Sequence, residues 1–75
     1  MLKSDKTLDV HGVTGPKADS VTEQALESMH RGQLLRVITD DHSSKRRIPD
    51  LCADRGFQLL EVREEGRTLY FTIQK

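Results

Sequence analysis

Within a dozen residues near the start of the chain, the spacing of apolar side chains changes period. Leu8 and Val10 alternate with Thr7, Asp9 and His11, a step of two, and from Pro16 onward Ala18, Val21, Ala25 and Met29 recur at steps of three and four. A half-buried strand must therefore end, and an amphipathic helix begin, within one short hinge. Gly12 and Gly15 permit the turn, and Pro16 suits the first helical position, where its missing N–H has no helical partner to lose. The spacing predicts a strand over 7–11 and a helix over 16–30 or 31, stopped by Gly32. Such a hinge leaves free N–H groups and a partial positive charge at its tip, a setting that favours anions. The residue at the tip is Gly15, which has no side chain.

The remainder repeats the theme. Leu34-Leu35-Arg36-Val37-Ile38-Thr39 is rich in β-formers, and Asp40-Asp41-His42-Ser43-Ser44 supplies turn residues. A second helix is expected over 44–54, with Ile48, Leu51 and Cys52 on one face and Gly56 as its stop. Pro49 deep in that helix would cost ~3 kcal/mol, so it is expected within the first turn or so, after an irregular start. Residues 57–64 and 68–74 alternate again around a Glu65-Gly66-Arg67 hairpin connection. The order β-α-β-α-β-β predicts a two-layer α/β (α+β) sandwich, with a right-handed crossover, parallel first strands and both helices on one face of a four-stranded mixed sheet. Alternation assigns Leu8, Val10, Leu35, Val37, Leu60, Val62, Leu69, Phe71 and Ile73 to the helix-covered face, against Val21, Ala25, Met29, Ile48, Leu51 and Cys52. Leu34, Ile38, Leu59 and Tyr70 fall on the helix-free face, either as a partner surface or as scattered surface hydrophobes.

Seventy-five residues make one domain, 1–75, with residues 1–6 expected to be a flexible lead. Twelve basic and twelve acidic side chains cancel, which removes the global electrostatic argument for nucleic acid or an anionic membrane. No apolar run approaches the ~20 residues of a membrane span. The first residues carry charge without a following apolar segment, so neither a signal nor a transit peptide is read and the cytoplasm is the expected location. Cys52 is the only cysteine, which excludes an intramolecular disulfide, a Cys-x-x-Cys pair and a four-cysteine zinc site. No cofactor is implied.

Several of these residues, taken together, resemble the TusA/SirA-like sulfur-carrier family: Leu8-Asp9-Val10, Gly12 before Gly15-Pro16, Gly32, Asp40-Asp41, Ile48-Pro49, Cys52, Gly56 and the closing Phe71-Thr72-Ile73-Gln74-Lys75. The resemblance implies the fold just derived and a place in sulfur transfer, where many members pass sulfur as a cysteine persulfide. It also implies a Cys-Pro-x-Pro signature at the start of the first helix, which here reads Gly15-Pro16-Lys17-Ala18. A cysteine at that helix terminus would be a stabilised thiolate; glycine cannot hold a persulfide.

Four groups of residues are candidate sites. Gly15, Pro16 and Lys17 form either a plain helix start or a vacated tip that still receives an anion or a partner's persulfide. Cys52, flanked by Ile48 and Leu51, reads as a core thiol, or as a substitute persulfide acceptor. His11 and Asp40-Asp41-His42 arrive at one sheet end; they have the composition of a zinc or nickel site but lack local ligand spacing, and solvated turn residues account for them as well. Lys45-Arg46-Arg47 begins the second helix, where positive charge is unfavourable; the triplet either invites an acidic partner or phosphate or, as the better account, is a solvated face neutralised by the nearby Asp40, Asp41, Asp50 and Asp54. The leading expectation is a non-catalytic binding or adaptor module of a sulfur relay, whose partner is a relay component or a cysteine desulfurase-like protein. The alternatives are a carrier acting through Cys52 and a small RNA-binding domain resting on the basic triplet.

Overall fold

A computed structural model describes residues 3–75. Met1 and Leu2, the first two residues of the expected flexible lead, lie outside the described residues. The elements are β1 (Lys6–Asp9), α1 (Pro16–Glu27), β2 (Leu34–Thr39), α2 (Ser44–Arg55), β3 (Gln58–Glu65) and β4 (Thr68–Gln74), in the predicted order. β1 begins one residue earlier than the alternation indicates. Asp5 N–H donates to Leu34 O at 2.8 Å and Asp5 Oδ2 accepts Leu34 N–H at 2.7 Å, which ties the lead to β2.

The sheet order is β1-β2-β4-β3, with β1 parallel to β2 and the other pairs antiparallel. Both helices pack on the face that carries Leu35, Val37, Leu69, Phe71 and Ile73, where Leu26, Ala25, Met29, Ile48 and Cys52 complete the buried core. On α1 the buried positions are Ala18, Thr22, Ala25 and Leu26. The helix is thus turned so that Thr22, its hydroxyl bonded to Ala18 O at 2.8 Å, is fully buried while Val21 is only partly so. The polar atom is tolerated because it is satisfied within the helix.

α1 stops at Glu27, short of the expected 30 or 31. Lys75 Nζ donates to Glu27 O and Met29 O, at 3.0 and 2.8 Å, and so satisfies carbonyls that further helix would have used. In α2, Pro49 lies in the second turn rather than the first. The irregular start is present: Ser44, Lys45 and Arg46 N–H groups bond back to Asp41, His42 and Ser43 carbonyls, a tight three-residue step. Leu51 is half-buried and stands outside the core cluster, since Ser44, Ile48 and Cys52 form the inward stripe.

The largest departure is in β3. A register shift between Leu59 and Glu61 reverses the alternation there, so Leu59 packs on the core while Leu60 and Val62 are exposed. Val62 retains the core-face parity, opposite Phe71, yet lies at the open edge. On the helix-free face, Ile38 sits opposite Tyr70, but the next row across the sheet is Thr7, Arg36, Thr72 and Glu61. This polar row separates Leu34 from Ile38, so the apolar residues of that face are not one continuous patch.

Candidate binding tip

The parallel pairing of β1 with β2 delivers the two strand ends side by side, and the loop after β1 is held by the loop after β2. Gly12 N–H donates to Asp40 Oδ1 at 3.1 Å, and Gly15 N–H to Asp41 Oδ2 at 3.4 Å. Asp41 also accepts from Ser43 N–H (3.0 Å) and Ser43 Oγ (2.8 Å), while its own N–H donates to Thr39 Oγ1 at 3.1 Å. These donors, the Ser43 hydroxyl foremost, hold the Asp41 carboxyl below the usual carboxylate range. The two aspartates are therefore spent on the backbone of the hinge.

Gly15 is the N-cap of α1, with φ 66° and ψ −147°. That region is open in practice only to glycine. A Cβ placed on Gly15 would meet Arg47 Nη1 at 3.6 Å. Arg47, in the first turn of α2, reaches across to α1: its Nε and Nη2 donate to Asp19 Oδ2 at 3.1 and 2.7 Å. The tip is thus a helix N-terminus with a guanidinium beside it, already paired with a carboxylate one turn in. Pro16 and Lys17 are exposed next to it. Between the helices, an open cleft of about 690 Å³ is lined by Asp19, Arg47, Asp50, Leu51, Ala53 and Asp54.

The basic triplet is divided. Lys45 Nζ pairs with Glu64 Oε1 of β3 at 2.6 Å, Arg47 with Asp19, and Arg46 is exposed. Lys45 is the main cause of a lowered Glu64 pKa. His42 lies 3.7 Å from the same glutamate. His11 turns back on its own strand, its Nδ1 2.6 Å from Asp9 Oδ1, and this contact raises the imidazole pKa. Among the described residues, no three His, Cys, Asp or Glu side chains are grouped to hold a metal ion. Cys52 is 3% exposed, and burial pushes its thiol up to about 11.

His11, Asp40 and Asp41 meet at one end, as the parallel pairing predicts; Asp19 stands where an acid one turn into the helix opposes an anion at the tip, and its pairing with Arg47 is the contact that the sequence does not announce. Its only signal is an acid in the first turn of a helix, a common dipole complement. Glu64, which anchors Lys45, gave no signal because strand pairing across the fold sets it there.

A family model described as "Sulfurtransferase TusA" matches residues 6–75. Among curated proteins, a Thermotoga maritima protein named provisionally as a sulfur carrier is 43% identical over 61 residues, 81% of this chain and 77% of that one. The Bacillus subtilis protein YrkI, named in the same provisional way, is 36% identical over 99% of both chains. The sulfur carrier protein TusA of Pseudomonas putida is 34% identical over 95% of this chain and 89% of its own. Among solved structures, a SirA-like protein from Desulfitobacterium hafniense superposes with a TM-score of 0.79 at 22% identity, over 92% of this chain and 95% of the other, which establishes the shared fold. No helix among the described residues is long and apolar enough to cross a membrane.

Proposed function

The chain belongs to the sulfurtransferase TusA family, and we propose that within it this protein is a non-catalytic docking module: it binds a protein of a cytoplasmic sulfur relay, such as a cysteine desulfurase-like donor, and carries no sulfur itself. The observation that carries this reading is Gly15. The resemblance puts the persulfide-forming cysteine at that position, and here the backbone adopts φ 66° and ψ −147°, a conformation suited to glycine rather than to any side chain. The apparatus around the position is complete without a reactive atom. Arg47 stands beside it, Asp41 and Asp40 hold the loop, and the helix start is closed by Ala18 N–H donating to Gly15 O at 3.1 Å.

The contact surface assigned to the partner is the tip from His11 through Gly15, Pro16 and Lys17, together with Asp40, Asp41, Lys45, Arg46 and Arg47. A carrier role for Cys52 is disfavoured by its burial and its raised pKa, both of which suppress the thiolate that accepts sulfur. RNA binding is disfavoured because Lys45 and Arg47 are neutralised by Glu64 and Asp19.

The test is incubation with a cysteine desulfurase and labelled cysteine, followed by intact-mass analysis. The reading expects a complex whose formation is weakened by Lys17→Glu or Arg46→Glu, and no added sulfur. A mass gain of one sulfur atom at Cys52 would establish a carrier instead.

A further inference from the structure

β3 is an edge of the sheet, paired among the described residues with β4 alone. It carries Leu60 and Val62, the large hydrophobic residues that stand most exposed among the described residues, at 40% and 48%. An edge strand offers unpaired backbone N–H and C=O groups to another strand, and its charged side chains restrict which partner it accepts. On the helix-free face of β3 the charges alternate. Glu61 and Arg63, opposite Thr72 and Tyr70 of β4, share the helix-free face of the sheet and differ in sign.

We infer that β3 pairs antiparallel with β3 of a second copy of this chain, about a two-fold axis through Val62. Directly opposed residues of an antiparallel pair share a face, so a symmetric axis must pass through a residue, and the positions equally spaced on either side of it meet. An axis through Val62 sets Val62 against its own copy and Glu61 against the second copy's Arg63, twice. An axis through Glu61 or Glu64 opposes two glutamates. An axis through Arg63 opposes two arginines and brings Glu61 against Glu65. One through Leu60 falls in the irregular stretch at Leu59 and Glu61. Charge complementarity thus selects a single register, and like charges directly opposite disfavour the others. The product is one eight-stranded sheet with all four helices on the same side. Arg63 already pairs with Glu65 on its own strand, a contact that Glu61 of the second copy would share. β1, which leads into the tip, is the far edge of the sheet, and of the docking residues proposed above Lys45 reaches β3, through Glu64.

Sedimentation velocity on the full chain and on two charge-reversal variants, Glu61→Arg and Arg63→Glu, tests it, with circular dichroism confirming that each variant is folded. Each variant alone places like charges opposite at both contacts, and its self-association should be at least about tenfold weaker than that of the parent chain. Mixed in equal amounts, the two variants present opposite charges at both contacts and should form a heterodimer. A parent chain that stays monomeric at millimolar concentration overturns the inference. So do single variants that dimerise as the parent does, or a mixture that stays monomeric.

Discussion

Replacing Gly15 by alanine separates the backbone conformation of the tip from its chemistry. The added Cβ has room, since its nearest neighbour would be Arg47 Nη1 at 3.6 Å, an ordinary contact. The obstacle is φ 66° with ψ −147°, where holding a residue other than glycine costs about 1–3 kcal/mol. Alanine also restricts the unfolded chain, which returns roughly 0.4–1 kcal/mol. The balance is a net loss of about 1–2 kcal/mol, or a melting temperature lower by roughly 4–16 °C for a domain of this size. The chain has one escape. Turning over the peptide unit between Thr14 and residue 15 restores a negative φ, but it swings the N–H of residue 15 away from Asp41 Oδ2. That bond is long, so its loss falls at the low end of about 0.5–1.5 kcal/mol. Urea unfolding of the parent, Gly15→Ala, Asp41→Asn and the double variant distinguishes the two. If the strained conformation persists, the losses add; if the peptide turns over, Asp41→Asn costs less in the Gly15→Ala background. A Gly15→Ala protein as stable as the parent, with an unchanged backbone amide signal at residue 15, would refute the conformational reasoning.

Three further outcomes are expected. Raising a thiol pKa from 9.0 to about 11 lowers the thiolate fraction at neutral pH about a hundredfold, so iodoacetamide should modify Cys52 far more slowly in the native protein than in denaturant; comparable rates would show an accessible thiol. A double-mutant cycle between Arg47→Met and Asp19→Asn should give a coupling of about 0.5–1 kcal/mol in thermal or urea unfolding, since both side chains keep partial solvent contact. Because the folded His11 pKa is raised, its pairing with Asp9 supports the fold fully below the ordinary value of 6.5 and loses that contribution as pH rises through the higher folded value; an NMR titration should give a His11 midpoint above 6.5 that Asp9→Asn brings back down.

The sequence made the sheet legible wherever its residues alternate strictly and are buried on one face, as in Leu35-Val37 and Leu69-Phe71-Ile73. It failed in β3 because Leu59-Leu60 contains no alternation, and the extra residue of the register shift, set by pairing with β4, decides which leucine turns inward. Helix rotation was misjudged at Thr22, since a hydroxyl satisfied by Ala18 O can be buried as readily as the neighbouring valine. At the tip, the backbone arrangement was readable from Gly15-Pro16 and from the parallel pairing. The Arg47–Asp19 pair was not, because neither local sequence encodes a contact between residues twenty-eight positions apart.

The strand order has a consequence for how the chain acquires this structure. β4 lies between β2 and β3, although both are made before it. β2 has no neighbour on one side, and β3 none at all, until β4 inserts between them. The two most extensive pairings of the sheet therefore form late and together, which predicts slow, cooperative folding for a domain of this size. Until then, Leu59 and Leu60 lie in a strand with no partner, the stage at which crowding by other chains is most hazardous.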